Sequence, residues 1–485
     1  MLVNELSTER RSRASRWLPY ALACAAILLI LVPWVEISNG DPRIRGGAAD
    51  LYGMRFRDDV NVLFILVDTL RADRLGVYGY DRATSPTLDY VARTGIRFTH
   101  HLAQSSWTKC SMASLWTGVY PPRTGVTRFD DAIPEEATMP AERLAEAGFR
   151  TAAIWRNGWV APNFGFAQGF EVYERPAPGA VPLSVRREKP HVDLHGSDRD
   201  VVNSAKEFLR AHGHERFFLY LHLMDVHQYV YDEPSAKFGS SYSDVYDNSI
   251  LYTDTSLGDL LTFLAERDLL QRSIVVIASD HGEAFSERGI EGHAKHVYRE
   301  TTETPWIMSL PFRVEDGVEI PTRTRNVDIW PTLLDLLGLA PLENIDGRSV
   351  ADEILSLLAR REDIDPSEDR PGLSDPVAYS FLDRTWGQIR QPPKPAVAVV
   401  DGPLRYVYAR SSDGRVTEQL FDRTTDPSEA TDVLAEHPDR AADMRRQAES
   451  HLDAFEAPPW GDAAVSVEID AMELNQLRAL GYEIP

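Results

Sequence analysis

The sequence predicts an α/β fold: a large mixed, mainly parallel sheet sandwiched by helices, with a small C-terminal α+β subdomain and one N-terminal transmembrane helix. Continuous apolar runs of strand length occupy residues 62–67, 217–221 and 274–278. Such runs are typical of strands that are buried on both faces of a parallel sheet. Residues 246–270 carry leucines at helical spacing and indicate a helix that packs on the sheet. An uninterrupted apolar stretch at residues 17–35 predicts the transmembrane helix.

The N-terminal segment has the features of a signal anchor. Residues 17–35 are long enough for one bilayer span, which takes about 20 apolar residues. The arginines that precede this stretch are Arg10, Arg11, Arg13 and Arg16. Because arginines beside a span stay cytoplasmic, we expect residues 1–16 to be a cytoplasmic basic tail and the large domain to be periplasmic or extracellular. A cleaved signal peptide is the alternative. Residues 36–58, with Asn-Gly and Gly-Gly pairs, are predicted to be a linker.

The composition limits the classes of protein and partner. A chain of 485 residues, 43% of them apolar, is long enough for one large globular domain and a smaller one. Lysine and arginine number 51 against 74 aspartates and glutamates, so the formal net charge is −23. This negative charge argues against a nucleic-acid partner. An anionic substrate must be attracted by positive charge at the site itself, such as that of a bound metal ion. The only cysteines, Cys24 and Cys110, exclude a framework of disulfides.

Polar residues follow each of the three predicted strands. Asp68 ends the first run, the second run leads to Asp225 and His227, and the third leads to Asp280 and His281. Because the carboxyl ends of strands in an open α/β sheet border the ligand crevice, these side chains are expected to meet at one edge. One aspartate after a strand is usually a helix cap. Three in one chain, together with imidazoles, favour a site for a divalent metal ion.

Residues 107–118 are predicted to form a short helix, with Thr108 as its N-cap and Gly118 just past its last turn. Taken alone, this pattern is typical of the start and end of any surface helix. A hydroxyl beside the free N–H groups of a helix N-terminus nevertheless lies where an anion is stabilised and an alkoxide is less costly to form. Thr108 is therefore a candidate nucleophile, provided that a metal ion or a base lies nearby.

The composition of the remaining segments predicts a strand, a surface loop and a domain boundary. Residues 151–155 are predicted to be a short strand, and residues 175–200 a long surface loop, because proline and charges occur there without periodicity. Residues 361–375 are full of Asp, Glu and Pro and mark a boundary. The main domain is accordingly predicted at residues 59–365 and the C-terminal subdomain at residues 366–485.

The C-terminal subdomain is predicted to contain antiparallel strands and a covering helix. Strand composition occurs at residues 396–400, 405–409 and 416–421, with a hairpin turn at residues 412–414. The covering helix is predicted at residues 438–455. We expect this part to support the site rather than to carry chemistry.

Several ordered motifs resemble those of the sulfatase family in the alkaline phosphatase superfamily. The matching segments are residues 61–79, 279–283, 292–305, 327–335, 346–349 and 477–482. Together they cover most of the chain after the N-terminal anchor, and several motifs in one order are more specific than any one of them. The resemblance implies an alkaline phosphatase-like fold with a sulfatase-like catalytic domain at residues 59–365.

The nucleophile position departs from the family pattern. Sulfatases carry a Cys or Ser, followed by x-Pro-x-Arg, that is oxidised to formylglycine. Alignment places Thr108 in this position, with Cys110 and Met112 where the family has proline and arginine. Threonine is not a precursor of formylglycine, so the chain resembles a variant with a threonine nucleophile. Similar threonines occur in superfamily branches that cleave or transfer phosphoryl groups.

The resemblance also implies residues around the transferred group. His227 matches a substrate-binding histidine of the family, and His293 falls where related enzymes place a lysine or histidine on the substrate or leaving group. Both are predicted to be catalytic. Asn157 matches a substrate-facing polar position, and an asparagine that merely caps a loop is the alternative.

One divalent metal ion is predicted as the cofactor. Its expected ligands are Asp68, Thr108, Asp280 and His281. Thr69 replaces a second aspartate seen in many sulfatases, and fewer carboxylates together with an imidazole favour Mn²⁺ or Zn²⁺ over Ca²⁺. A second zinc ion, held by His227 and His293, is the alternative.

Three functions fit these patterns. The first is a membrane-anchored, metal-dependent hydrolase of sulfuric or phosphoric esters that acts through a covalent intermediate on Thr108. The second is an envelope transferase that moves a phospho-group of the phosphoethanolamine or glycerophosphate type. The third is a noncatalytic sulfatase-like binding protein. The expected partners are a sulfated or phosphorylated small molecule, glycan or lipid, and the membrane through the N-terminal helix.

Overall fold

The computed structural model describes residues 41–362, 375–388, 391–453, 456–461, 465–469 and 474, apart from the side chains of residues 193 and 194. The described residues from Arg43 onward form one compact unit. The predicted tail and transmembrane helix, residues 1–35, lie outside the described ranges. Within those ranges, no helix combines the length and the apolarity that crossing a membrane requires.

Eighteen strands occur in the described ranges and form one large and four small sheets. They are β1 (Asn61–Val67), β2 (Ile96–Phe98), β3 (His101–Leu102), β4 (Asp131–Ala132), β5 (Arg150–Ile154), β6 (Val172–Glu174), β7 (Phe217–Leu223), β8 (Ser273–Ala278), β9 (Ala284–Phe285), β10 (Glu291–Gly292), β11 (Trp306–Ser309), β12 (Val318–Ile320), β13 (Thr324–Arg325), β14 (Ala378–Asp383), β15 (Pro395–Asp401), β16 (Leu404–Arg410), β17 (Val416–Asp422) and β18 (Val465–Ser466).

Thirteen α-helices accompany these strands in the same ranges. They are α1 (Ala48–Gly53), α2 (Pro86–Arg93), α3 (Thr108–Thr117), α4 (Pro121–Thr124), α5 (Pro140–Glu146), α6 (Leu183–Glu188), α7 (Val192–His195), α8 (Asp198–His212), α9 (Tyr242–Glu266), α10 (Arg299–Thr302), α11 (Asn326–Leu336), α12 (Ala351–Arg361) and α13 (Pro438–Asp453).

The large sheet has the strand order β12-β2-β11-β8-β1-β7-β5-β6. β1 pairs in parallel with β7 and β8, and β5 and β6 extend the parallel part beyond β7. β11 is the strand of this sheet that runs against its neighbours, β8 and β2. The predicted mixed, mainly parallel sheet is therefore confirmed. The three apolar runs of the sequence are β7, β1 and β8, which lie side by side at its centre.

Helices cover both faces of the large sheet. Along β1, Phe64 belongs to one apolar cluster, whereas Leu63 and Ile65 belong to another. The first cluster includes side chains of α3, α11 and α12, and the second includes side chains of α2, α8 and α9. A strand that is buried on both faces needs apolar residues at every position, which explains the continuous runs.

A four-stranded antiparallel sheet, β14-β15-β16-β17, forms the C-terminal part. β15, β16 and β17 coincide with the three predicted strands, and Gly414, with a φ of +82°, turns the hairpin between the last two. α13 packs on this sheet and buries Met444. β14 is a strand that the sequence pattern does not indicate.

The described part of the predicted linker, residues 41–58, is packed against the rest of the protein. This part contains α1, which packs against α12, and the side chains of Leu51 and Met54 are buried. The buried guanidinium of Arg43 donates a hydrogen bond to Ser309 Oγ at 2.5 Å. The Asn-Gly and Gly-Gly pairs indicate a flexible chain, but the apolar side chains that follow them make buried contacts and fix the segment.

The predicted surface loop at residues 175–200 also contains regular structure, because α6, α7 and the first turn of α8 lie within it. The Ser197 hydroxyl accepts the N–H of Asp200, and the Asp200 carboxylate accepts the N–H of Ser197. This capping box starts α8. Helices of one or two turns are too short for an apolar periodicity to be recognised, and the loop prediction was wrong for that reason.

Candidate active site

Three side chains at the carboxyl ends of β1 and β8 form a buried cluster. Asp68 follows β1, Asp280 and His281 follow β8, and all three are fully buried. Their ligand atoms lie within 4.8 Å of one another. His281 Nε2 is 3.3 Å from Asp280 Oδ2 and 4.0 Å from Asp68 Oδ1. The structure thus brings together the residues that were predicted as metal ligands from the strand ends.

The chemistry of this cluster fits a divalent cation. Asp68 Oδ1 and Asp280 Oδ2 accept no hydrogen bond from the described part of the chain. Burial and the charge of Asp68 raise the pKa of Asp280, a penalty that a cation between the carboxylates would remove. His281 Nδ1 donates to Gly282 O at 3.0 Å, so in the neutral ring Nε2 carries the lone pair, and this atom faces the carboxylates. Two carboxylate oxygens and one imidazole nitrogen are suitable ligands for such an ion.

The backbone after Asp68 is held in an unusual conformation. Thr69 has a φ of +61°, which is rare for a β-branched residue. Its N–H donates to Asp280 Oδ1 at 3.2 Å, and its carbonyl accepts the hydroxyl of Tyr246 at 2.7 Å. The contact with Thr69 engages one oxygen of Asp280 and leaves the other directed at the cluster. Backbone strain of this kind persists where surrounding contacts hold it, often at functional sites.

Thr108 lies against the cluster as the first residue of α3. The N-cap is Trp107, which has an extended backbone with φ −129° and ψ 127°, so the predicted cap position is wrong by one residue. Thr108 Oγ1 is 3.1 Å from His281 Nε2 and 3.5 Å from Asn157 Nδ2. The oxygen also lies in the first turn of a ten-residue helix, where the free N–H groups favour negative charge.

The segment before Thr108 is fixed by two distant parts of the chain. Phe381, in β14, donates its N–H to Gln104 O at 2.8 Å. Ala294, which follows His293, donates its N–H to Ser106 O at 2.8 Å. The C-terminal sheet and the histidine-bearing loop are therefore both attached to the approach to α3.

His227 and His293 lie together beside the cluster. Their ring centroids are 5.0 Å apart, and the His293 ring stacks on His281 at 4.5 Å. Burial alone would lower the pKa of His293, but the carboxylate of Glu283, 3.3 Å from Nδ1, together with those of Asp68 and Asp280, outweighs burial and raises the pKa. Burial lowers the pKa of His227 to about 4. The nearby carboxylates therefore favour the protonated form of His293, whereas burial favours the neutral form of His227.

Asp68 has neighbours that the sequence patterns do not reveal. Asn157 Nδ2 donates to Asp68 Oδ2 at 2.6 Å, and His222 Nε2 lies 3.1 Å from the same oxygen. His222 Nδ1 lies 2.7 Å from the hydroxyl of Tyr220. Tyr220 lies inside the apolar run of residues 217–221 and His222 directly follows it, and the sequence pattern does not indicate a contact of either with Asp68. Asn157 was predicted to face the substrate, and the structure places its amide between Asp68 and Thr108.

Asp225 follows β7 but does not join the cluster. Its carboxylate accepts a hydrogen bond from Arg156 Nη1 at 2.6 Å, and the same nitrogen donates to Asp198 Oδ1 at 2.7 Å. All three side chains are buried. Burial raises the pKa of Asp225 to about 7. This ionic group joins the ends of β5 and β7 to the start of α8, so a position after a strand does not by itself identify a metal ligand.

Comparison with known proteins identifies the family. The sequence model described as Sulfatase matches residues 60–339, which is more than half of the chain. The chain belongs to the sulfatase family. The predicted resemblance is therefore confirmed at the level of the family, and the matched sulfatase region contains every predicted site residue.

Relatives and solved structures agree with this assignment. An N-acetylgalactosamine-6-O-sulfatase of Bacteroides thetaiotaomicron is 24% identical, over 80% of this chain and 92% of the relative. An ulvan-active sulfatase of Formosa agariphila is 24% identical, over 77% of each chain. The crystal structure of a phosphonate monoester hydrolase of Agrobacterium radiobacter superposes with a TM-score of 0.62 at 18% identity, over 84% of this chain and 100% of the other. At this identity the structural likeness shows the sulfatase fold alone.

Proposed function

We propose that this member of the sulfatase family is a metal-dependent hydrolase of sulfate or phosphate esters, with Thr108 as its nucleophile. The observation that carries the proposal is the position of Thr108 Oγ1, 3.1 Å from His281 Nε2. This places a hydroxyl at the edge of a buried cluster in which the carboxylates of Asp68 and Asp280 lie close together. A hydroxyl beside such a cluster, at a helix start, has the surroundings that nucleophilic displacement requires.

The names of the relatives support a sulfated glycan as the substrate class. N-acetylgalactosamine-6-O-sulfatase and ulvan-active sulfatase are both named for sulfated sugars. Thr108 itself favours a phosphate or phosphonate ester as the second candidate. Threonine has a single hydroxyl and cannot form the aldehyde hydrate of formylglycine, so water must cleave the covalent ester at sulfur or phosphorus. The fold shared with a phosphonate monoester hydrolase is compatible with this second candidate.

The residues that would hold the cation are Asp68, Asp280 and His281, with Thr108 beside them. When bound, the cation would supply positive charge that lowers the proton affinity of a neighbouring hydroxyl. Two carboxylate oxygens and an imidazole favour Mn²⁺ or Zn²⁺ over Ca²⁺, which takes more oxygen ligands. Elemental analysis of the purified protein distinguishes one bound ion from two, and two equivalents of zinc would favour the alternative with a second ion at His227 and His293.

The proposed reaction has two displacements. Thr108 Oγ1, after losing its proton to water, attacks the sulfur or phosphorus, and the bond to the leaving-group oxygen breaks. His293, which Glu283 favours in its protonated form, gives that oxygen a proton, and the alcohol leaves. His227 donates a hydrogen bond to an oxygen of the transferred group. Water then attacks the same centre and returns a proton to His293, and the displaced Thr108 oxygen takes a proton from solvent, which restores the hydroxyl.

The variant Thr108→Ala tests the proposal. Its turnover is measured with 4-nitrophenyl sulfate, 4-nitrophenyl phosphate and a phenylphosphonate monoester in the presence of Mn²⁺ or Zn²⁺. On the ester that the wild-type protein cleaves, we expect kcat to fall by about 10³-fold or more, since the attacking atom is lost. Thr117→Ala, at the other end of α3, is the matched control. The Thr117 hydroxyl donates to Ala113 O within the same helix, at 2.7 Å.

Two results would contradict this proposal. Wild-type rates in Thr108→Ala would remove the nucleophile from the mechanism. If the wild-type protein turns over none of these esters in the presence of metal, a noncatalytic binding protein is favoured. If it instead releases diacylglycerol from phospholipid when a glycan acceptor is present, a transferase is favoured. A mass increase on the peptide that contains Thr108, trapped by rapid acid quench, would support the covalent intermediate.

We also propose that residues 17–35 anchor the protein in a membrane, with the catalytic domain outside the cytoplasm. The apolar length of this stretch and the arginines that precede it support the anchor and its direction. Protease added to intact cells is expected to digest the large domain. Protection of the domain until the cells are lysed would reverse the proposed orientation.

A further inference from the structure

We infer that Tyr220 and His222 are positioning residues of the metal site, which determine the oxygen that Asp68 presents to the cation. Neither residue is among the expected ligands, and neither touches the nucleophile in the described contacts. The inference rests on the metal site of the proposed function, but it is independent of the identity of the nucleophile and of the ester that is cleaved.

The two oxygens of Asp68 have different surroundings. Oδ2 accepts the Asn157 amide at 2.6 Å and lies 3.1 Å from His222 Nε2. Oδ1 has no hydrogen-bond partner among the described residues and lies 4.0 Å from His281 Nε2. Because two donors from different elements hold Oδ2, rotation of the carboxylate is opposed, and Asp68 presents Oδ1 as a single ligand atom. Partners behind a ligand orient it in this way at many metal sites.

The hydrogen-bonding chain also defines the tautomer of His222. An ionised carboxylate only accepts, so the contact with Asp68 is attractive when Nε2 carries the hydrogen. In the neutral ring Nδ1 is then an acceptor, and the hydroxyl of Tyr220, 2.7 Å away, donates to it. Loss of this hydroxyl would leave Nδ1 without its donor and would allow the opposite tautomer, in which Nε2 turns a lone pair towards Asp68.

The position of the pair in the fold makes it rigid. Tyr220 and His222 are fully buried in β7, which is hydrogen-bonded to β1, the strand that Asp68 directly follows. The Tyr220 ring packs edge-on against Trp116, with ring centroids 5.0 Å apart. Supporting residues on a central strand hold a site more precisely than residues on a loop. Phenylalanine at position 220 would keep the ring contact and remove the hydroxyl alone.

The test measures metal binding by the full chain. The dissociation constant for Zn²⁺ or Mn²⁺ is determined by competition with a chromogenic chelator for the wild type, Tyr220→Phe and Tyr78→Phe. We expect Tyr220→Phe to weaken binding about 10-fold, the usual effect of losing a group behind a ligand. Tyr78→Phe is the matched control, because its hydroxyl bonds to the carbonyls of Phe98 and Trp306. It should leave the dissociation constant unchanged.

Variants of His222 provide a second measurement. Glutamine keeps an N–H for Asp68, so His222→Gln should weaken metal binding less than His222→Leu. Thermal unfolding of the metal-free variants separates loss of the fold from loss of binding. If the wild-type protein binds no metal, both this inference and the proposed metal site fail. If the wild type binds the ion and Tyr220→Phe binds it equally tightly, the inference alone is overturned and the proposed function stands.

Discussion

At the scale of single residues, Thr108 differs from the other hydroxyl residues of α3 in the contact that its oxygen makes. Thr117 donates back to a carbonyl of its own helix, as threonines in helices commonly do. Ser111 Oγ donates to the carbonyl of Asp280 at 2.5 Å and fixes α3 to the loop after β8. Thr108 Oγ1 instead lies beside His281 Nε2. This contact places the side chain in the cluster rather than only in the helix.

The role of His293 is testable through the leaving group. In His293→Gln, kcat/KM should fall about 10²–10⁴-fold for esters of alkyl alcohols, whose oxygen needs a proton, and much less for 4-nitrophenyl esters. Rates across a series of leaving groups of rising pKa measure the effect. His451→Gln, which alters a histidine in α13, is the control. An equal loss for both kinds of ester would contradict proton donation by His293.

Asp254 is predicted to give stability a pH dependence away from the active site. Its carboxylate accepts the N–H groups of Thr87 and Leu88, each at 2.9 Å, at the start of α2. Burial outweighs these contacts and raises its pKa from 3.8 to about 7. A carboxyl whose pKa is higher in the folded state contributes stability that is complete below the unfolded pKa and is lost as the pH rises through the folded pKa.

Comparison with Asp254→Asn isolates this contribution. Between pH 3.8 and about 7, the free energy of unfolding of the wild type should decrease relative to the variant as the pH rises. The slope of the difference is expected to be on the order of 1 kcal/mol per pH unit. Urea unfolding at a series of pH values measures it. A difference that is constant across this range would show that the carboxyl titrates normally.

At the scale of elements, α3 depends on the residue that ends it. Gly118 has a φ of +71°, and a Cβ placed on it would lie 3.2 Å from Ile345 Cδ1. Gly118→Ala should therefore lower the free energy of unfolding by about 1–2 kcal/mol for the backbone conformation, with a further loss for the close contact. Gly148→Ala is the matched control, because Gly148 has a φ of +83° and no atom within 4 Å of such a Cβ. Equal losses in urea unfolding would show that Ile345 moves aside freely.

The elements differ in how far the sequence determines them. The strands that precede Asp68 and Asp280 could be predicted, because burial on both faces requires apolar residues at each position. The polar partners of Asp68 could not. His222 directly follows such a run, and its contact with Asp68 depends on which strands become neighbours in the sheet. Asp225 illustrates the opposite error. Its position after β7 is that expected of a metal ligand, but its carboxylate pairs with Arg156.

At the scale of the whole molecule, removal of metal is predicted to lower stability. A ligand that binds the folded state alone stabilises it by about 2.7 kcal/mol at a free concentration 100 times its dissociation constant. We expect chelator treatment to lower Tm by a few degrees and added Zn²⁺ or Mn²⁺ to restore it, because the ion relieves repulsion between Asp68 and Asp280. Differential scanning calorimetry measures the shift. Asp280→Asn, which lacks one proposed ligand charge, should show a much smaller shift, and an unchanged Tm in the wild type would contradict the metal site.

The hydrogen bond from Phe381 to Gln104 has a consequence for the order in which the protein is made. Gln104 lies four residues before Thr108, yet its partner is synthesised after every strand of the large sheet. A nascent chain can therefore complete that sheet while Gln104 O, four residues before the proposed nucleophile, still lacks its partner from β14. On this basis we expect an unfinished polypeptide on the ribosome to be inert until β14 has emerged, so that the C-terminal sheet delays activity until synthesis is nearly complete.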